Sequence, residues 1–202
     1  MGIVLAVKYV NVVEKADNKS LSRITKHYPK RDVSKLSKGK IAEHAAVINC
    51  LEELLESEDW WVEHKDSGAP ILFIGGIQEN LKISISHAIE QVNNTKKIAH
   101  AAVIIRQGDT QDNDKIGVDL VITGDLRLQR IAARVMSKKE MKGERLEEVW
   151  ACKEAMYKAF GPGLDFVKDL KVDFISENIL KGMERKWEVK RQGNLVIVMG
   201  PF

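Results

Sequence analysis

The sequence predicts an α+β fold of two pseudo-symmetric halves, residues 1–112 and 113–202, with an active site in the cleft between them. Three observations carry that prediction. The 202 residues are enough for one domain or two closely joined halves with a substantial core. Short apolar runs of strand character alternate with two long stretches whose apolar residues recur at helical spacing. The order strand, long helix, strands then occurs twice. The copies share little residue by residue, so the duplication rests on element pattern alone.

Each element has its own signal. Gly2–Val13 is apolar and β-branched, a strand. Ile41, Ala45, Ile48, Leu51 and Leu55 share one helical face, predicting an amphipathic helix over 38–57. Asp66-Ser67-Gly68 marks a turn before the apolar run Pro70–Phe73, and Gly75-Gly76 breaks the chain again. Leu81–Ser86 alternates with period two, a strand ending at His87, and Ala101–Ile105 is a further strand. Gln107–Asp114 is polar and predicts a loop leading into the strand Ile116–Val121. Helices follow over Leu126–Met136 and 144–160, and Ser137 with Glu140 has the spacing of a capping box. Gly161-Pro162-Gly163 terminates the longer helix. Val172–Ile175, Trp187–Lys190 and Leu195–Met199 read as strands, the last two joined at Gln192-Gly193-Asn194.

Composition removes several function classes. No apolar run approaches the ~20 residues that cross a bilayer, and Met1–Val13 lacks a signal peptide's basic flank and cleavage site. A cytoplasmic location is the simplest expectation. Cys50 and Cys152 show no framework spacing and are expected as reduced thiols. The sequence carries no P-loop, no Cys-x-x-Cys pair and no Gly-rich dinucleotide fingerprint, and its five histidines have no zinc spacing. The net charge is only +3, yet eight basic residues between Lys19 and Lys40 face a single acid, Asp32. Such a run is either a solvated face or mobile loop, or a field that draws an anionic ligand or acidic partner. Nucleic acid fits it less well, because Tyr28 is the only aromatic interleaved there.

The chemistry concentrates in two stretches. In Trp150-Ala151-Cys152-Lys153-Glu154-Ala155-Met156-Tyr157-Lys158-Ala159, Val149, Cys152, Met156 and Ala159 form the core stripe of the helix. Trp150, Glu154 and Lys158 share another stripe. Glu154 and Lys158 alone would be an ordinary surface i, i+4 pair, but Trp150 beside them argues against a freely solvated face. In Ile116-Gly117-Val118-Asp119-Leu120, Asp119 stands at the end of an apolar strand, where an acid is costly unless paired or coordinated. It either pairs with a lysine or caps a loop, or joins Glu154 as a hard oxygen ligand for Mg²⁺. That ion takes one or two protein carboxylates and fills its remaining positions with water and phosphate oxygens. His87 follows Ser84 and Ser86, a set of donors suited to a phosphate. A Ser-His dyad is the rival reading, but no G-x-S-x-G elbow surrounds either serine.

Three pieces in this order, Ser84-Ile85-Ser86-His87, Gly117-Val118-Asp119 and Trp150-x-x-Lys153-Glu154-Ala155-x-x-Lys158-Ala159, resemble the 4′-phosphopantetheinyl transferase superfamily, in its longer, monomeric two-half branch. The resemblance spans about residues 38–175. It implies transfer of the 4′-phosphopantetheine arm of coenzyme A to a serine of an acidic apo acyl or peptidyl carrier protein. It also implies a Mg²⁺ site at Asp119 and Glu154, and coenzyme A contacts from Lys158, His87, Ser86 and Lys40. Glu154, Lys158 and Lys153 would be the catalytic set, with Glu154, a water or Lys153 taking the serine proton. Val121 stands where many longer members carry another acid, Gly68-Ala69-Pro70 where many have Gly-Lys-Pro, and Ala88 where serine is usual. A non-catalytic coenzyme A or carrier-protein binder of the same fold is the alternative implied.

Overall fold

The structure is a computed structural model and describes residues 3–13, 17–107 and 115–202. The chain divides into two compact units, Met1–Thr110 and Gln111–Phe202. The boundary expected after residue 112, the expected loop beyond Gln107 and the expected strand start at Gly2 lie outside the described residues.

In the first unit a three-stranded antiparallel sheet is built from β1 (Val4–Asn11), β5 (Leu81–Gln91) and β6 (Lys97–Gln107), in the order β1-β6-β5. Helices α1 (Asn18–His27) and α2 (Lys38–Leu54) lie between β1 and β5 in sequence, and α2 packs on β1 and β6. The buried face of α2, with Ala46, Val47, Ile48, Cys50 and Leu51, meets Ala6, Ile83, Ala101 and Val103 of the sheet. A smaller sheet of β2 (Trp60–His64), β3 (Pro70–Ile74) and β4 (Ile77–Gln78) adds Trp60, Val62 and Leu72 to that core.

Helix α1 takes up the start of the basic run, so that part of the run is the solvated face of a helix and not a mobile loop. Asp17 caps it by accepting from the Ser20 amide, and its apolar stripe buries Ile24. Much of the run's charge is matched as well: Arg23 meets Glu52, Lys30 meets Glu63, Lys35 meets Asp32 and Lys40 meets Glu43.

In the second unit β7 (Gly117–Ile122) leads to α3 (Leu126–Val135), α4 (Lys138–Met141) and α5 (Leu146–Phe160). The strands β8 (Asp173–Phe174), β9 (Ile179–Gly182), β10 (Arg185–Gln192) and β11 (Leu195–Gly200) close a five-stranded sheet ordered β7-β11-β10-β9-β8. Helix α5 packs on β7 and β11, burying Val149, Cys152, Ala155 and Met156 against Val121, Val196 and Val198. The capping box forms: the Ser137 amide donates to Glu140 at 2.7 Å and the Glu140 amide donates to the Ser137 hydroxyl at 3.3 Å. Gly161, at φ 91°, ends α5.

Both cysteines are free and buried, and burial pushes the Cys50 thiol up to about 12. Among the described residues no helix is long and apolar enough to cross a membrane.

Candidate functional site

Gly117 sets the geometry of the second unit's site. A side chain there would strike the backbone carbonyl of Ala155, so glycine is what lets β7 lie directly against α5. Strand alternation then turns Asp119, two residues on, toward the same helix. Asp119 is 7% exposed, and its Oδ1 accepts from Lys158 Nζ at 2.7 Å. The same ammonium donates to the Val118 carbonyl at 2.9 Å, pinning the end of α5 to β7. Asp119 is the third residue of β7 and not its end, because pairing with β11 continues through Val121 and Ile122.

Glu154 lies one turn before Lys158 on α5. Burial first, and then the negative charge of Asp119, raise its carboxyl to about 7 against the opposing pull of Lys158. Asp119 and Glu154 therefore sense each other electrostatically, with the Lys158 ammonium between their demands. Lys158 does not serve as the surface partner of Glu154 that the i, i+4 spacing alone suggests; its hydrogen bonds go to β7.

Lys153 departs from its expected role. It is fully buried, and its ammonium donates to the carbonyls of Phe166 at 2.5 Å and Leu170 at 2.7 Å and pairs with Glu140 at 3.0 Å. With three partners and no exposure it has no lone pair to accept a proton and no path to a substrate. Glu140 is held in turn, since its Oε1 accepts from the Val172 amide at 3.0 Å. Together the two charges tie α4 and the 166–172 segment to α5. Phe166 stacks on Trp150 with ring centroids 5.6 Å apart, which explains why Trp150 is only partly exposed.

The other expected residues sit in the first unit. The expected strand end at His87 is corrected: β5 runs on to Gln91, paired to β6 throughout, so His87 is mid-strand. It points to the α2 side with Ile83 and Ile85, while Ser84 and Ser86, one pleat away, face the opposite side and are buried. The side chains of Ser86 and His87 therefore leave opposite faces of β5. Lys40 and His87, in contrast, come together around a residue that sequence reasoning passed over, Glu43. Lys40 Nζ lies 2.6 Å from Glu43 Oε2, and His87 Nδ1 lies 3.2 Å from Glu43 Oε1. The side chain of Glu43 is 7% exposed, yet, against the upward pull of burial, His87 and Lys40 hold its carboxyl down at about 2. The sequence signal was present: an acid three residues after Lys40, inside the apolar stretch of a helix otherwise lined by Ala42, Ala45 and Ala46.

Among the described residues no group of three or more His, Cys, Asp and Glu side chains could hold a metal. Asp119 and Glu154 offer a two-carboxylate set of hard oxygens, which fits an ion that takes its other ligands from water and phosphate. The Lys158 contact uses Asp119 Oδ1.

No curated protein matches the chain. Residues 115–193 match the family model for the 4′-phosphopantetheinyl transferase superfamily. The matched stretch includes Gly117, Asp119 and the whole Trp150–Ala159 motif and excludes Ser84–His87. Over residues 115–193, then, the chain is similar to the 4′-phosphopantetheinyl transferase superfamily.

Proposed function

We propose that the protein transfers the 4′-phosphopantetheine group of coenzyme A to a serine of an apo acyl or peptidyl carrier protein. The observation carrying this reading is the convergence of Asp119, Glu154 and Lys158, two carboxylates and an ammonium from β7 and α5, within the segment that matches the superfamily. Mg²⁺ held by Asp119 and Glu154 would supply charge neutralisation on the coenzyme A diphosphate.

The chain's own residues do the rest. Lys158, anchored on Val118 and Asp119, directs a fixed positive charge at the diphosphate oxygens, where charge grows as the phosphorus–oxygen bond to the leaving group breaks. Glu154 takes the proton of the incoming serine hydroxyl, directly or through a water. The nucleophile belongs to the partner, so the protein needs no activated serine or cysteine of its own; Cys152 is buried and burial raises its thiol. His87 and Lys40 hold the 3′-phosphate of the ribose. The released product is adenosine 3′,5′-bisphosphate.

The test is a panel of apo carrier proteins from fatty-acid, polyketide and peptide synthesis, each incubated with the protein, coenzyme A and Mg²⁺. A phosphopantetheine mass increment on the carrier serine of at least one is expected. No increment on any of them, with coenzyme A still bound, would favour a binding protein in place of a transferase.

A further inference from the structure

Lys158 stands inside the two-carboxylate set of the second unit. Its ammonium donates to Asp119 Oδ1 at 2.7 Å and to the Val118 carbonyl at 2.9 Å, so it sits on an oxygen that a hard cation would seek. Its charge also reaches Glu154, where it opposes the upward pull of burial and of Asp119. The Asp119 and Lys158 side chains are 10% and 28% exposed, so solvent screens the pair weakly. The nearest strand positions add no acid: Val121, the next residue of β7 on the Asp119 side, packs in the apolar core, and Val198 of β11 lies opposite Asp119. Among the described residues no third His, Cys, Asp or Glu joins the two acids as a metal-holding group. Within this set, one ammonium offsets half of the charge that would draw a divalent cation.

We propose that Lys158 couples metal binding to diphosphate binding: its ammonium, seated on Asp119, keeps the two carboxylates from holding a divalent cation firmly by themselves, so that metal and diphosphate are bound as a pair. This rests on the reading of Asp119 and Glu154 as the Mg²⁺ carboxylates.

The physical reason is a conflict between like charges that a diphosphate resolves. For a divalent cation entering alone, the Lys158 ammonium is a repulsive neighbour already in contact with one of the two ligand side chains. A diphosphate brings negative oxygens that face the cation and the ammonium together, turning the repulsion between them into a shared attraction. Lys158 keeps its hold on the Val118 carbonyl throughout, so its charge stays where those oxygens arrive. In the empty site the same ammonium spares Asp119 and Glu154 an unrelieved mutual repulsion, which lets β7 and α5 carry two acids side by side. Linkage makes the effect reciprocal: the diphosphate tightens the metal by the factor with which the metal tightens the diphosphate. This role is separate from charge stabilisation during transfer, because it operates before any bond breaks.

The experiment titrates Mn²⁺, a hard divalent probe that carboxylates also bind, into the protein under argon at about pH 8.5, with free Mn²⁺ read by electron paramagnetic resonance. Native protein, Lys158→Gln, Lys158→Arg and Asp119→Asn are each measured with and without coenzyme A, a titration of coenzyme A alone is subtracted, and folding is verified by circular dichroism. Gln keeps an N–H donor for β7 without the charge, and Arg keeps the charge. Native protein should bind Mn²⁺ ~10-fold or more tightly with coenzyme A than without it. Ligand-free Lys158→Gln should bind Mn²⁺ ~10-fold or more tightly than ligand-free native protein, and its gain from coenzyme A should shrink accordingly. Lys158→Arg should behave as native protein does. Asp119→Asn should lose the Mn²⁺ bound with coenzyme A; native-like binding by this variant would overturn the metal reading and this inference with it. With that loss observed, equal Mn²⁺ affinity of ligand-free Lys158→Gln and native protein, or no gain from coenzyme A in native protein, would overturn the coupling role alone.

Discussion

Two carboxylates in this protein, the buried Glu43 and the half-buried Glu154, are driven in opposite directions by what surrounds them. Glu154 is pushed up to about 7 because burial and Asp119 outweigh Lys158, whereas Glu43 is held at about 2 because His87 and Lys40 outweigh burial. The sign for Glu43 follows from linkage. Its folded value lies below the ordinary 4.5, so its contribution is complete above that pH and is lost as pH falls through about 2. Native protein should therefore be more stable than Glu43→Gln at neutral pH, by no more than about 3 kcal/mol, and the gap should close between those two values. Urea titrations at several pH values check this. A gap of constant size down to the acid limit would show that Glu43 is not held by charge.

At the scale of elements, the contact between β7 and α5 and the clamp on α5 are separable. Gly117→Ala should push β7 off α5 and destabilise the protein by ~1–3 kcal/mol, because the new methyl meets the Ala155 backbone and not a movable side chain. It should also slow transfer out of proportion, since Asp119 and Lys158 span the same contact. Stability lost with the turnover of the folded protein intact would contradict that. Lys153→Ala strands Glu140 in the interior and should cost ~3–5 kcal/mol, while Lys153→Met with Glu140→Gln should cost less. Below the unfolding transition, that double variant should keep transferase activity. A folded double variant without activity would return Lys153 to the chemistry.

Across the whole chain, what was readable from the sequence follows from the range of the forces involved. The long helices were legible because their apolar spacing is local; α2 ends at Leu54 and α5 starts at Leu146, close to the periodic residues. The capping box was legible because it needs only four consecutive residues. Helix α1 was obscured by its charge: its polar face is so basic that Ile24 and its neighbours were outweighed. Strand β9 carries only Ile179-Leu180-Lys181-Gly182, too short a run to show alternation without its partner β10. His87 was placed at a strand end because Ser86-His87 breaks the apolar pattern, whereas pairing with β6 carries β5 to Gln91. Within the site, Asp119, Glu154 and Lys158 were marked by being charged among apolar neighbours. The partners that decide their roles lie far along the chain. Lys153 reads like Lys158 until Glu140, Phe166 and Leu170 enclose it, and Glu43 gains meaning only when β5 brings His87 to it.

The central claim is that Asp119 and Glu154 act together, with Lys158, on a magnesium-bound diphosphate. The most direct measurement is carrier modification by Asp119→Ala and Glu154→Ala, followed by mass spectrometry at saturating coenzyme A and Mg²⁺, with folding verified by circular dichroism. Each variant should remain folded and lose at least ~10²-fold in transfer rate. Near-native transfer by either folded variant would contradict the account.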